Sequence, residues 1–122
     1  MKKILFALLF LLFVSGCSQG SSGPTMTTIV YEVSGTTSEI SSITISNSDG
    51  GTSQYTDITT LPWTYTFSVS SDEYTFLYVS AQNGTKSESV TVKIYKNDSV
   101  YKESTSSGAY VIATASGSHG SL

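Results

Sequence analysis

The 122-residue chain contains no arginine, a single cysteine and a single histidine, and only 12% of its residues are charged. Phosphate backbones are bound through clustered arginine and lysine, so this composition excludes a nucleic-acid partner. One cysteine cannot close a disulfide within the chain, and zinc sites need clusters of Cys, His and carboxylate ligands. We therefore expect a fold that packing alone holds together.

Long apolar runs are also absent, except at the N terminus. Lys2 and Lys3 are followed by eleven consecutive apolar residues at 4–14. A membrane-spanning helix needs about 20 apolar residues, whereas the hydrophobic region of a signal peptide needs roughly 7–15. The length of the run predicts a signal peptide. The segment that ends the run makes it a lipoprotein signal peptide, which we expect to be residues 1–16 and to be cleaved.

That segment, Val14-Ser15-Gly16-Cys17, resembles the lipobox of bacterial lipoproteins. Its pattern is an aliphatic residue and two small residues, followed by the cysteine whose thiol carries the lipid. The alternative is an ordinary secretory signal followed by an incidental cysteine. We predict that Cys17 is the lipid attachment residue. Two acyl chains suffice for stable anchoring, because each buried methylene contributes about 0.8 kcal/mol.

Residues 17–26 are predicted to form the lipidated cysteine and a tether, since Gly and Ser dominate a flexible linker. Without Lys2 and Lys3, four lysines stand against nine acidic residues. We therefore expect acyl chains, and not a basic patch, to make the membrane contact. An aspartate directly after the lipidated cysteine commonly marks a lipoprotein for retention in the inner membrane. This chain has Ser18 in that position, which favours the outer membrane in a Gram-negative host.

From Thr27 onward the apolar residues alternate with polar ones, and helical periodicity is absent. This alternation predicts strands, and turn signals at 47–51, Asn83-Gly84 and Asn97-Asp98 separate several of them. The predicted strands lie around 29–33, 43–45, 55–58, 63–69, 74–82, 90–94, 100–101 and 109–114. The domain is thus predicted over 27–116, with a disordered tail at 117–122.

Seven or eight short strands at this spacing are typical of an antiparallel sandwich or barrel. A parallel sheet would need crossover helices, for which the chain has no room. We predict an all-β fold, a small immunoglobulin-like antiparallel β-sandwich. Its core is expected near Trp63, Tyr65, Phe67, Val90, Val92 and Ile94.

Four segments occur in a characteristic order: Val30-Tyr31-Glu32-Val33-Ser34-Gly35-Thr36, Leu61-Pro62-Trp63, Ser80-Ala81-Gln82-Asn83 and Ser106-Ser107-Gly108-Ala109-Tyr110. As a set they resemble the MmpS family, over almost the whole predicted domain. The resemblance implies an immunoglobulin-like β-sandwich on the outer face of a membrane. For the mycobacterial members it implies an accessory role beside RND-type exporters of lipids and siderophores.

The chain departs from that family in two features. The mycobacterial members are held by an N-terminal transmembrane helix, whereas this chain has the predicted lipobox at Cys17. They also tend to carry a cysteine pair in the last third of the domain. The approximately matching positions here are Val92 and Ala115, and Val92 is expected to pack in the core.

Groups that could support catalysis or bind a metal are few. A hydrolytic triad needs a base beside its nucleophile, and His119 is predicted to be solvated in the tail. Asp72-Glu73 in a turn, and Asp49 and Asp57 beside a hairpin strand, are expected to be solvated carboxylates. The alternatives are a calcium site at Asp72-Glu73, which would need about six to eight oxygens, and a glycosidase with two carboxylates across a cleft. We predict no enzyme, no metal and no cofactor.

The eight tyrosines suggest a binding surface. Outward-facing tyrosines recognise partners or sugars, although tyrosine is also a good strand former on a half-buried sheet. The candidates are Tyr55, Tyr65, Tyr78, Tyr95 and Tyr101. We predict a membrane-anchored envelope lipoprotein whose sandwich binds a protein partner, a component of an export system if the resemblance extends to function. The alternative is a surface module that binds a ligand or glycan through exposed aromatics.

Overall fold

A computed structural model describes residues 25–120 as eight β-strands without a helix in that range. The strands are β1 (Met26–Gly35), β2 (Ile40–Ser46), β3 (Thr52–Ile58), β4 (Trp63–Ser70), β5 (Thr75–Asn83), β6 (Ser89–Lys96), β7 (Ser99–Ser107) and β8 (Ile112–His119). The signal peptide, Cys17 and most of the tether lie outside the described residues. Within 25–120 no helix is long and apolar enough to cross a membrane.

The strands form two four-stranded antiparallel sheets, in the orders β4-β1-β6-β7 and β3-β2-β5-β8. Alternate residues of each strand point between the sheets and form one core, since successive side chains of a strand point to opposite faces. The predicted all-β antiparallel sandwich is confirmed, with eight strands.

Three of the six predicted core residues, Val90, Val92 and Ile94, are fully buried on β6. The other three lie on β4 and are partly buried against the same core. Because β4 is an edge strand, only one neighbouring strand covers its side chains, which leaves them half exposed. The core prediction is therefore confirmed in its centre and only approximate at this edge.

The structure corrects the predicted end of the domain. The last strand is Ile112–His119 and not 109–114, and residues 117–119 pair with 75–77 of β5. The Tyr101 ring packs on Gly117, where an added Cβ would lie 2.5 Å from ring atoms, so this position of β8 suits a glycine. Residues 117–119 are therefore not a disordered tail. At the other end of the domain, β1 already includes Met26.

Connections between the antiparallel strands gather at two ends of the sandwich. The end at which β1 begins is here called the tether end, because the chain from Cys17 reaches the domain there. It contains residue 25, the connections 47–51, 71–74 and 97–98, and residue 120. The opposite end, called the far end, contains the connections 36–39, 59–62, 84–88 and 108–111.

Two predicted turns are confirmed at the tether end. The 47–51 hairpin joins β2 and β3 with a hydrogen bond of 2.7 Å from Asn47 N to Gly51 O, and Gly50 has a φ of 90°. Asn97 and Asp98 join β6 and β7 with φ values of 48° and 69°. Glycine, asparagine and aspartate tolerate such positive φ values. These residues therefore form the two turns without contacts from distant parts of the chain.

Candidate functional site

The most unusual residue of the far end is Tyr110, in the connection between β7 and β8. Its side chain is 57% exposed and its φ is 60°. A positive φ is uncommon for a residue other than glycine, and such a conformation costs of order 1 kcal/mol. Tyr110 N donates to Gly84 O at 3.0 Å, and Gln82 Nε2 donates to Tyr110 O at 3.1 Å. The fold therefore holds this tyrosine in a strained conformation and leaves its ring in solvent.

Asn83 fixes the connections around Tyr110. Its side chain is fully buried, and Nδ2 lies 2.8–2.9 Å from the carbonyl oxygens of Lys86, Glu88 and Gly108. Its Oδ1 accepts a hydrogen bond of 2.9 Å from Gly84 N. One buried amide thus ties the β5–β6 connection to the loop that presents Tyr110.

These contacts correct the predicted hairpin at Asn83-Gly84. Strands β5 and β6 belong to different sheets, so the chain crosses between sheets at this dipeptide. Asn83 is needed for its buried amide. Gly84 lies close to Glu39, so an added Cβ would be 2.6 Å from Cγ of Glu39 and the half-buried glutamate side chain would have to move. The Glu39 carboxylate in turn accepts a hydrogen bond of 3.0 Å from Thr85 Oγ1.

An open depression of about 360 Å³ lies beside Tyr110 at the far end. Its walls include Glu39, Asp57, Thr59 and Thr85. The segments 80–83 and 106–110 are hydrogen-bonded to each other here. The Leu61-Pro62-Trp63 segment reaches the same end in the β3–β4 connection.

The outward face of the β3-β2-β5-β8 sheet continues from the far end and is here called the neutral face. It contains eleven residues without a charged side chain: Ser42, Thr44, Gln54, Thr56, Phe76, Tyr78, Ser80, Gln82, Ile112, Thr114 and Ser116. Ile112 is 55% exposed and pairs with Gln82, directly after the loop of Tyr110. On the other sheet, Lys93 and Glu103 form an outward ion pair at 3.8 Å.

Three of the five candidate tyrosines pack against the core and are therefore not available to bind a partner. Tyr55 and Tyr65 pack against the core, where the Tyr55 ring lies 5.1 Å from that of Trp63. Tyr101 also packs against the core, with Lys96 Nζ 3.8 Å from its ring centre.

Only two of these tyrosines lie on outward faces. Tyr95 donates a hydrogen bond of 3.1 Å to Glu32, and Tyr78 stacks with Phe76 at 6.1 Å. Sequence reasoning did not select the exposed Tyr110, Phe76 or Ile112. Tyr110 was included in the strand predicted at 109–114, and the available signal against that strand was Gly108 two residues earlier.

His119 is not a solvated tail residue. It ends β8 opposite Thr75, and its Nε2 is buried with no hydrogen-bond partner among the described residues. Burial of the imidazole, and then the positive charge of Lys96, lower the pKa of His119 below its ordinary value. The Lys96 ammonium itself donates a hydrogen bond of 2.9 Å to Ser118 O.

The candidate carboxylates are distributed over both ends of the sandwich. Asp49 and Glu73 line a depression at the tether end, and Asp57 lines the one at the far end. Asp49 Oδ1 accepts a hydrogen bond of 2.9 Å from Gly51 N and so serves the hairpin. Within residues 25–120, no group of three or more His, Cys, Asp or Glu side chains is placed to hold a metal ion.

Comparison with known protein families matches residues 1–18 to the prokaryotic membrane lipoprotein lipid attachment site. The matched range contains the segment that resembles a lipobox, including Cys17. The match supports a lipid-anchored location in the cell envelope. No curated protein matches the chain.

Proposed function

We propose that the lipid on Cys17 anchors a non-enzymatic β-sandwich to the membrane, and that this sandwich binds a protein partner at its far end. The anchoring follows from the lipid attachment site matched at residues 1–18. The binding is supported above all by Tyr110, which the fold holds exposed at a φ of 60°. Strain of this kind persists where the surrounding structure enforces it, and it clusters at functional sites.

The surface that follows Tyr110 on β8 has the chemistry of a protein interface, whereas the depression beside Tyr110 carries the carboxylates of Glu39 and Asp57. Interface cores are enriched in aromatic residues and depleted in charged ones, and tyrosine is a frequent hot-spot residue. Ile112, also exposed, follows Tyr110 by two residues and begins the uncharged surface of the neutral face. The buried Asn83 amide fixes the loop, so binding would order few additional groups. A preformed surface of this kind lowers the entropic cost of association.

The anchor makes the far end the accessible one. The chain from Cys17 enters the sandwich at the tether end, and the Tyr110 loop lies at the opposite end of the strands. A partner in the envelope would therefore approach Tyr110 from the side away from the anchoring membrane.

The finer proposal is that the partner belongs to an RND-type export system. It is supported by the four segments that resemble the MmpS family, all of which reach the far end. Ser18 in the position after Cys17 favours the outer membrane as the site of anchoring in a Gram-negative host.

Site-specific photo-crosslinking in cells tests the partner proposal. A photoreactive amino acid replaces Ala109, exposed beside Tyr110, in the full-length lipoprotein, and Thr66 on the other sheet serves as the control position. We expect a defined protein adduct from position 109, which the Tyr110→Ser variant loses. Adducts that are equal at both positions, or that persist in the variant, would contradict binding at the far end.

A second candidate function is recognition of a glycan on the neutral face. The observation in its favour is the pair of rings of Phe76 and Tyr78, 6.1 Å apart and inclined by 28°, beside rows of hydroxyl and amide side chains. Aromatic faces and hydroxyl donors suit an uncharged sugar. A glycan-array signal that Tyr78→Ala abolishes and Tyr110→Ser leaves intact would support this function over the first.

A further inference from the structure

Exposed apolar side chains also occupy the end of the sandwich nearest the lipid. Met26, Tyr74 and Phe76, here called the tether-end patch, are 55%, 47% and 50% exposed. They line one open depression of about 460 Å³ together with Val69 and the carboxylates of Asp49 and Glu73. Met26 begins β1, while Tyr74 and Phe76 flank the start of β5. The patch therefore lies beside the point at which the tether reaches the domain.

The tether, even when fully extended, is no longer than one strand of the domain. Seven residues separate Cys17 from Thr25. A fully extended chain spans at most about 3.5 Å per residue, which places Thr25 within roughly 30 Å of the lipidated cysteine. The ten residues of β1 alone extend about as far. The tether-end patch is thus kept near the membrane surface at a high effective concentration, where a weak contact suffices.

The charges of this end decide which kind of lipid surface it suits. Four carboxylates lie in its connections, on Asp49, Asp72, Glu73 and Asp98. The nearby Lys96 ammonium is engaged with Ser118 O. Anionic lipids attract basic surfaces, so attraction to such lipids cannot drive this contact. The affinity of this end for a membrane must therefore come from its apolar and aromatic side chains, which suit a zwitterionic headgroup layer, as in other interfacial proteins.

We infer that the tether-end patch rests on the headgroup layer of the membrane that holds the lipid anchor. This inference rests on the proposed lipid anchor at Cys17. The contact sets the orientation of the sandwich, because the far end then points away from the surface. The lipid and the patch together form a two-part attachment, in which the acyl chains hold the protein and Met26, Tyr74 and Phe76 orient it.

Lipid-dependent fluorescence quenching of the full-length lipoprotein tests the inference. Since Cys17 is the only cysteine and its thiol would carry the lipid, a second cysteine offers one free thiol for a fluorophore. Ser48→Cys labels the tether end and Thr60→Cys the far end, and both positions are exposed. The protein is reconstituted in phosphatidylcholine vesicles that contain lipids with a quencher near the headgroup. We expect quenching at position 48 and none at position 60.

A matched pair of variants separates the patch from exposed apolar residues in general. Met26→Ser/Tyr74→Ser should lower quenching at position 48 to the value at position 60. Tyr110→Ser/Ile112→Ser, at the far end, should leave quenching at position 48 unchanged. Thermal unfolding of both variants checks that the sandwich is intact. Addition of phosphatidylglycerol should weaken the quenching at low ionic strength, and salt should restore it.

The outcomes distinguish this inference from the lipid anchor. A protein that floats with the vesicles and shows equal quenching at both positions overturns the inference and leaves the anchor standing. Unchanged quenching in Met26→Ser/Tyr74→Ser also overturns it. A protein that takes up no fatty acid and does not float with the vesicles overturns both.

Discussion

The hydroxyl of Tyr31 in β1 donates a hydrogen bond of 2.9 Å to the carbonyl oxygen of Ser46 in β2, and so joins the two sheets through the middle of the core. The Tyr31 hydroxyl oxygen also lies 3.1 Å from Ser46 Oγ and accepts a hydrogen bond of 3.3 Å from Tyr78 N in β5. Tyr31 is fully buried, and burial is the main reason that its pKa is raised. It remains neutral and acts as both donor and acceptor.

Removal of this hydroxyl should destabilise the domain. In Tyr31→Phe the buried carbonyl of Ser46 and the amide of Tyr78 lose a partner, and an unsatisfied buried polar group costs about 1–3 kcal/mol. Urea unfolding should show a loss of free energy in that range. Tyr95→Phe is the control, because its hydrogen bond to Glu32 lies on an outward face. A control effect as large as that of Tyr31→Phe would argue against the inter-sheet bond.

Asn83→Asp should be more damaging. The carboxylate keeps the shape of the amide but places a charge against the carbonyl oxygens of Lys86, Glu88 and Gly108. A buried charge without a partner is strongly unfavourable, and we expect a loss of about 3 kcal/mol or more. Urea unfolding measures it. Gln54→Glu, exposed on the neutral face, is the control, and a similar loss there would contradict the role of Asn83.

Tyr110→Asn should separate stability from binding. Asparagine adopts a positive φ more readily than tyrosine, so the free energy of unfolding should stay the same or rise, by at most about 1 kcal/mol. The cross-link of the partner from position 109 should nevertheless disappear. Ser107→Asn, exposed at the end of β7, should change neither. If Tyr110→Asn retained the cross-link, the strained tyrosine would not be the binding residue.

Gly117→Ala should destabilise the domain by disturbing the packing of β7 against β8. The added Cβ would lie 2.5 Å from atoms of the Tyr101 ring, whose hydroxyl is bonded to Ser118. Displacement of the ring should cost about 1–3 kcal/mol. In a double-mutant cycle with Tyr101→Leu, the two losses should be less than additive. Full additivity would show that Gly117 and Tyr101 act independently.

The stability of the domain should fall in mildly acidic solution because of His119. Burial and Lys96 lower the pKa of His119 in the folded state, so the unfolded chain binds a proton first as the pH falls. Neutral His119 contributes its full stabilisation above the pKa of about 6.5 that it has in the unfolded chain. This contribution declines as the pH falls below about 6.5 and stops changing below the pKa of His119 in the folded domain.

Urea unfolding at several pH values checks this dependence. His119→Gln should flatten the stability profile between about pH 5 and 7. Glu73 and Asp98 lie in connections at the same end of the sandwich, so Glu73→Gln and Asp98→Asn serve as controls that should retain the slope. A slope that survives in His119→Gln would assign it to another group.

Features that depend on a few neighbouring residues were predictable from the amino-acid sequence. The alternation at 63–69 predicts β4 because successive side chains of a strand must face opposite sides. The 47–51 and Asn97-Asp98 turns were predictable because their residues tolerate a positive φ without help from the rest of the fold. The lipid attachment segment is likewise a short linear signal.

The candidate site was much less predictable. Tyr55 and Tyr101 looked equivalent to Tyr78 in the sequence, yet the structure packs the first two against the core and leaves Tyr78 on an outward face beside Phe76. The exposed Tyr110 was missed because its importance lies in a strained loop conformation. That conformation is enforced by Asn83 and Gln82, more than 25 residues away along the chain.

The amino-acid sequence by itself determined the strands, the local turns and the alternation that produces one apolar face on each strand, because all three depend on the backbone preferences of adjacent residues. Only the tertiary structure decided which strands became neighbours. Asn83-Gly84 and Asn97-Asp98 are similar turn signals, but the first crosses between sheets and the second closes a hairpin. The physical reason is that strand pairing is chosen by burial of the whole core, and a dipeptide does not encode that choice.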